Sequence, residues 1–192
     1  MAEWVIRAQS ISKAYGGRTL FHGIDLDIPR GRAIAFVGHN GTGKTTLLKL
    51  LAGLVAPSAG RVVRVEGLST GYVPEHFPKM NLTALQYLRA MGGIEGLSGQ
   101  EAGERSLALL RSFFMESMAD VPMKHLSKGS LQKVGVAQAL LRTPDVLLLD
   151  EPLSGQDADS QRVFVRRVKA LIQGGTTVLL SCHEPFLVRR LA

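Results

Sequence analysis

Apolar and polar positions along the chain fall into alternating strand and helix periods. Ile24, Leu26 and Ile28 alternate with Asp25 and Asp27, which predicts a half-buried strand with one wet face. Gly16-Gly17 marks a turn before it. Ala33–Val37 is a short continuous apolar run and reads as a buried strand. Leu47, Leu50, Leu51 and Leu54 follow at i, i+3, i+4 and i+7, the stripe of an amphipathic helix. From Gly60 to Glu66, Val63 and Val65 alternate with Arg64 and Glu66, a second half-buried strand. The texture then changes. Leu82, Leu85, Tyr87 and Leu88, then Leu107, Leu109, Leu110, Phe113 and Phe114, predict two helices separated by the glycine-rich link Gly92–Gly103. Apolar strands return at Val146–Leu149 and Thr177–Ser181, each after a helical pattern. Such alternation predicts an α/β fold with a largely parallel central sheet, antiparallel strands around it and a helical insert.

Glycines and charges between two of these elements carry the chemistry. Gly38-His39-Asn40-Gly41-Thr42-Gly43-Lys44-Thr45 has the spacing of a phosphate-binding loop, G-x-x-x-x-G-K-[ST], between the predicted strand and helix that such a loop requires. Its glycines let backbone N–H groups and the helix N-terminus face an anion. Lys44 is expected to reach the β/γ-phosphates of a nucleotide, and the Thr45 hydroxyl to ligate Mg²⁺. Val146-Leu147-Leu148-Leu149-Asp150-Glu151 is an apolar strand ending in two carboxylates, at the sheet edge where parallel strands meet ligands. Asp150 is expected to hold Mg²⁺ through water, and Glu151 to orient and deprotonate an attacking water. His183 closes the next apolar strand at the same edge, where it can donate to the γ-phosphate.

Composition narrows the class of protein. The 192-residue chain is 45% hydrophobic, ordinary for a soluble globular protein with a real core. One cysteine, Cys182, excludes an internal disulfide framework and suits a reducing compartment. MAEWVIRAQS shows no secretion signal, and no apolar run approaches the ~20 residues that span a bilayer. A cytoplasmic protein is expected. The net charge of +7 would suit nucleic acid or an anionic membrane face. Yet the local concentration Arg162, Arg166, Arg167 and Lys169 is the solvated face of a helix whose apolar stripe is Phe164, Val168, Leu171 and Ile172. With aromatics at 6% there is no stacking platform, so nucleic acid is not an expected partner.

In order and spacing these motifs resemble the ATP-binding subunits of ABC transporters over nearly the whole chain. GHNGTGKTT matches that family's phosphate loop, here Gly38 to Thr46, and VLLLDEP its acidic strand. Ser154-Gly155-Gln156-Asp157 matches its D-loop and His183 its switch histidine. Leu126-Ser127-Lys128-Gly129-Ser130, before a helical run and the acidic strand, resembles the signature loop usually written LSGGQ. The resemblance places Tyr15 against the adenine ring, and Ser127 and Gly129 against the γ-phosphate of ATP held by another subunit. It implies an ABC ATP-binding domain over residues 1–192. About 1–75 and 136–192 would form the core with its β subdomain, and about 76–135 the helical insert with the signature loop.

It further implies a Mg²⁺-dependent ATPase that couples transport to an ATP-sandwich dimer, homo- or heteromeric, with separate transmembrane subunits. Its place would be the inner face of the cell membrane. Three positions depart from the pattern. Glu75 stands where the family has a metal-facing Gln, and Glu is itself a hard oxygen ligand for Mg²⁺. Lys128 replaces the first Gly of LSGGQ, and Ser130 its Gln. Both Glu75 and the LSKG form resemble the branch that exports drugs, antibiotics and polysaccharides, so export is expected over import. Phe77, Pro78, Met80, Leu82 and Tyr87 are expected to line a groove that receives the membrane subunit. The helical pattern Phe186, Leu187, Leu191 closes the sequence where family members usually continue, so the chain is either a minimal subunit or lacks a tail. A soluble ABC ATPase acting on a nucleic-acid, ribosomal or cluster-assembly partner is the alternative. A small-molecule kinase would share the phosphate loop but not the signature loop.

Overall fold

The structure is a computed structural model and describes residues 3–153, 156 and 158–183. It divides into two compact units, residues 1–72, 144–151 and 168–192 in the first, and 73–143 and 152–167 in the second. Ser154, Gly155 and Asp157 of the D-loop, and the C-terminal pattern from Phe186, lie outside the described residues.

The first unit holds two sheets. β1 (Trp4–Tyr15) pairs antiparallel with β2 (Arg18–Pro29) on one side and β4 (Ala59–Arg64) on the other. The alternation read in Ile24–Ile28 lies on β2, and Gly16 and Gly17 form the β1–β2 turn with positive φ. A bulge interrupts β1 at Ser10 (φ 46°), whose N–H donates to Asp25 Oδ1 at 2.7 Å. Gly60 crosses this bulge so closely that a Cβ would strike the carbonyl oxygens of Gln9 and Ser10.

The second sheet has the order β3 (Ala33–Val37), β7 (Thr177–Cys182), β6 (Val146–Leu149), β5 (Thr70–Val73). β7 pairs parallel with both β3 and β6, and every residue of β6 and β7 is buried. Two-sided burial explains why both strands read as continuous apolar runs rather than alternating ones. β3 departs from its expected burial. It is the terminal strand in this order, Ala33–Phe36 are half-buried and Val37 is 45% exposed.

Between β3 and β4 runs α1 (Lys44–Ala52), which buries Leu48, Leu50 and Leu51 in a cluster with Val5, Ile11, Leu148 and Leu179. The helix is shorter than the leucine spacing suggests. Gly53 (φ 79°) ends it in a left-handed cap that leaves Leu54 59% exposed. Arg64 from β4 donates from Nε to the Leu51 carbonyl at 3.0 Å, placing a cation at the helix C-terminus.

The second unit is helical. α2 (Ala84–Ile94) and α3 (Gly99–Ser112) each start with a capping box, Thr83/Gln86 and Ser98/Glu101. The predicted link Gly92–Gly103 is in fact mostly helix, with only residues 95–98 between the two. Gly92 is used for packing, since a Cβ there would lie 2.8 Å from Ala102 Cβ. α4 (Lys128–Ala139) buries residues on several faces, among them Leu131, Gln132, Val134 and Val136. The Tyr87 hydroxyl donates to Gln138 Oε1 at 2.8 Å, and the Phe77 ring meets Tyr87 edge-on, with centroids 5.6 Å apart. Tyr87 is thus buried in the interior of this unit and not available to a groove, because its ring and its hydroxyl both find partners there. Phe77 is half-buried against Tyr87 and Gly135, Met80 is half-buried, and Pro78 and Leu82 are exposed. α5 (Ala158–Gln173), of which residues 158–167 belong to this unit and 168–173 to the first, carries the predicted stripe, with Phe164 and Val168 buried.

Candidate nucleotide site

The phosphate-binding loop joins β3 to α1 as its spacing requires. Gly41 (φ 79°) and Gly43 (φ 94°) adopt the left-handed conformation that side chains resist. His39, Asn40, Gly41 and Thr42 are exposed, while Gly38, Gly43, Lys44, Thr45 and Thr46 are half-buried. The Gly38 N–H donates to the Cys182 carbonyl at 3.3 Å, anchoring the loop to β7. At the other end, Gly43 is the N-cap of α1 without a side-chain hydrogen bond, and the first turn holds no acidic residue. Helix N–H groups and a partial positive charge are therefore presented to an external anion rather than to a protein carboxylate.

Lys44 extends over the loop. Its Nζ donates to the carbonyls of Gly38 (2.7 Å) and His39 (3.1 Å) and lies 3.3 Å from Glu151 Oε1. Glu151 Oε1 is also 3.2 Å from His183 Nε2. One carboxylate oxygen thus faces a cation from the loop and an imidazole from the end of β7. Glu151 sits at φ 47°, a left-handed backbone that costs about 1–3 kcal/mol for a residue with a side chain. Its N–H donates to Ser181 Oγ at 2.9 Å, and Ser181 in turn donates to Asp150 Oδ1 at 2.6 Å. A single fully buried hydroxyl therefore connects both members of the acidic pair.

Asp150 is 1% exposed and ringed by hydroxyls. Besides Ser181, Thr45 donates to its Oδ1 at 3.1 Å and Tyr72 to its Oδ2 at 3.4 Å. Burial, and next the Asp150 charge, push the Tyr72 phenol well above its usual range, so it remains a donor. Among the described residues no group of three or more His, Cys, Asp or Glu is placed to hold a metal alone. The donor set of one carboxylate and one hydroxyl fits Mg²⁺, which binds through one or two protein oxygens, water and substrate phosphates. Residues and nucleotide chemistry agree. Burial, and next Glu151, raise the pKa of the Cys182 thiol, as expected for a packing residue.

The remaining predicted residues have these surroundings. Tyr15 ends β1 with 54% of its surface exposed, and Lys13 Nζ stands 4.7 Å from its ring centroid. Ser127 is the N-cap of α4, its Oγ accepting from the Ser130 N–H at 3.1 Å, and Gly129 lies in the first turn. Glu75 Oε1 lies 3.5 Å from Lys128 Nζ, and its Oε2 lies 3.7 Å from His76 Nδ1. Lys44, Thr45, Asp150, Glu151 and His183 are all brought together in the first unit; Ser127, Gly129 and Glu75 belong to the second. Sequence reasoning missed Ser181 and Tyr72. A serine ending the apolar run Val178-Leu179-Leu180 was the available signal for the first.

The chain is similar to known proteins over most of its length. The family model described as ABC transporter matches residues 21–154. The chain is 36% identical over 188 residues to the zinc import ATP-binding protein ZnuC of Halorhodospira halophila, covering 96% of this chain and 70% of that protein. It is 31% identical to the Nod factor export ATP-binding protein I of Cupriavidus metallidurans, covering 93% of this chain and 63% of that protein. Among solved structures, a dimeric post-hydrolysis ATP-binding cassette bound to ADP and phosphate superposes with a TM-score of 0.88 at 25% identity, covering 96% of this chain and 90% of that one. The chain belongs to the ABC transporter family, as one of its Mg²⁺-dependent, ATP-binding ATPase subunits.

Proposed function

We propose that the chain powers an exporter by closing with a second ATP-binding subunit around two ATP molecules and opening again on hydrolysis. The observation that carries the ATPase half is the convergence of Lys44, Asp150, Glu151 and His183 on the loop ahead of α1. Bound Mg²⁺ supplies charge neutralisation of the phosphates. Thr45 and Asp150 would hold it, and Lys44, now on the loop carbonyls, would meet the β/γ-phosphates. Glu151 accepts a proton from the attacking water. His183 orients that water and donates to the terminal phosphate. Tyr15 offers its exposed ring to the base, and Ser127 and Gly129 present the N-terminus of α4 to the nucleotide of the other subunit. Glu75 is available as a further metal-facing oxygen once it leaves Lys128.

Export rests on Glu75 and Lys128. Import is the second reading, favoured by the identity to zinc-import relatives. The cargo-bearing partner is a separate transmembrane subunit at the inner face of the membrane. No helix among the described residues is long and apolar enough to cross a bilayer. Pro78, Met80 and Leu82 form its docking patch. Isolating the membrane complex, identifying the subunit that copurifies, and measuring ATP-driven flux in inside-out vesicles tests the proposal. Accumulation inside the vesicles supports export, whereas loss from preloaded vesicles supports import. Met80→Glu should abolish copurification, and unchanged copurification would refute the patch.

A further inference from the structure

In the first unit the β1–β2 hairpin packs directly on the phosphate-binding loop. A Cβ at Gly43 would come within 3.0–3.1 Å of Leu20 and Phe21 on β2. The register at this end of the hairpin pairs Lys13 with Phe21, Ala14 with Thr19 and Tyr15 with Arg18. The extra residue is thus Leu20 on β2, and β1 keeps its alternation. Lys13 and Tyr15 stand two residues apart and therefore project from one face of β1. Lys13 Nζ lies 4.7 Å from the Tyr15 ring centroid and donates to the Ala56 carbonyl at 2.8 Å. Ala56 belongs to the link between α1 and β4, which is tied to β1 twice more. The Ser58 N–H donates to the Ser12 carbonyl at 2.8 Å, and the Ala14 N–H donates to Ser58 Oγ at 3.1 Å. The ammonium is thus anchored on backbone, and the ring it covers still has 54% of the Tyr15 surface open.

We infer that Lys13 is a positioning residue for the nucleotide base, holding one face of the Tyr15 ring and leaving the other for the purine. This rests on the assignment of Tyr15 to the base proposed above. An exposed tyrosine ring that turns freely must be immobilised by its ligand, which costs affinity. A cation anchored on one face settles the ring before the nucleotide arrives. At a partly exposed site such a contact is worth about two- to fivefold in affinity. The phosphates are met elsewhere, by the loop and Lys44, so the gain belongs to ligands that carry a base. A general electrostatic pull by Lys13 would instead favour a bare polyphosphate equally.

Calorimetric titration with Mg·ADP and with Mg·pyrophosphate separates the two effects, since the ligands share a diphosphate and only one carries a base. Lys13→Met keeps the length of the side chain and removes its charge. It should weaken Mg·ADP about two- to fivefold and leave Mg·pyrophosphate unchanged. Lys13→Arg should restore the ADP affinity, because a guanidinium also stacks on a ring and donates to a carbonyl. Equal weakening of both ligands, or of neither, would overturn the inference. In a Tyr15→Leu background Lys13→Met should change nothing. The same loss there would show that Lys13 does not act through the ring, and would also overturn it. Ser58→Ala cuts a neighbouring tie of the link without touching the cation, and should leave the ratio of ADP to pyrophosphate affinity at its wild-type value. A fall matching that of Lys13→Met would assign the effect to the link and not to the cation. Tyr15→Leu alone decides the underlying assignment. An unchanged ratio would remove Tyr15 from the base, and Lys13 with it, whereas a lowered ratio beside an inert Lys13→Met would overturn Lys13 only.

Discussion

Ser181 offers a sharp test of how the acidic pair is held. Its hydroxyl is fully buried, donates to Asp150 Oδ1 at 2.6 Å and accepts the Glu151 N–H at 2.9 Å. Ser181→Ala removes one hydrogen bond to a charged group, about 1.5–3 kcal/mol, and one neutral bond, about 0.5–1.5 kcal/mol. We expect a loss of roughly 2–4 kcal/mol. For a chain of this size each kcal/mol lowers Tm by about 2–4 °C, so scanning calorimetry should show a drop of roughly 5–15 °C. The catalytic consequence is separate. Glu151 is held at φ 47° by that N–H bond, and without it the backbone can relax into an unstrained region. Its carboxylate then leaves Lys44 and His183, and kcat at saturating Mg·ATP should fall at least about tenfold. Ser106→Ala is the control. Ser106 is equally buried but donates only to the Ala102 carbonyl within α3, so its loss should leave kcat unchanged. If Ser181→Ala melts within about 2 °C of wild type and keeps kcat within about twofold, the hydroxyl organises neither carboxylate and the reasoning fails.

Lys44→Ala should weaken Mg·ATP binding at least about 100-fold by calorimetric titration while the chain stays folded, because a charge-assisted contact to phosphate is lost. Unchanged affinity would remove the loop from the site. Asp145, whose carboxylate accepts the Ser69 N–H and hydroxyl, is held below the ordinary aspartate range by those bonds. Its contribution is therefore fully present above the ordinary value of about 3.9 and lost as pH falls through the lower folded value. Asp145→Asn should accordingly flatten the dependence of stability on pH below about 5, and an unaltered acid limb in denaturant titrations would contradict it. Gly53→Ala should destabilise by about 1–3 kcal/mol, because φ 79° strains any side chain and its Cβ would run into the Arg64 guanidinium. A ΔΔG below about 0.5 kcal/mol would show that the C-cap of α1 does not need glycine.

The residues that local chemistry constrains were legible in the chain. Phosphate binding demands glycines, a lysine and a hydroxyl at fixed spacing, so the loop Gly38–Thr45 could be read without coordinates. Buried parallel strands demand continuous apolar runs, so Val146–Leu149 and Thr177–Ser181 could be placed, and their shared direction put Asp150 and His183 at one edge. What the tertiary structure alone decided are pairings between distant residues. No local pattern says that Ser181 bridges Asp150 and Glu151, that Tyr72 donates to the same carboxylate, or that Tyr87 turns its hydroxyl to Gln138. The same holds for the edge position of β3, which leaves an apolar strand only half-buried, and for Gly92, helical because it must pack against Ala102. Glu75 and Lys128 were visible as separate oddities, 53 residues apart. Their pairing depends on how the segment after β5 folds onto α4, which hydrophobic periodicity does not encode.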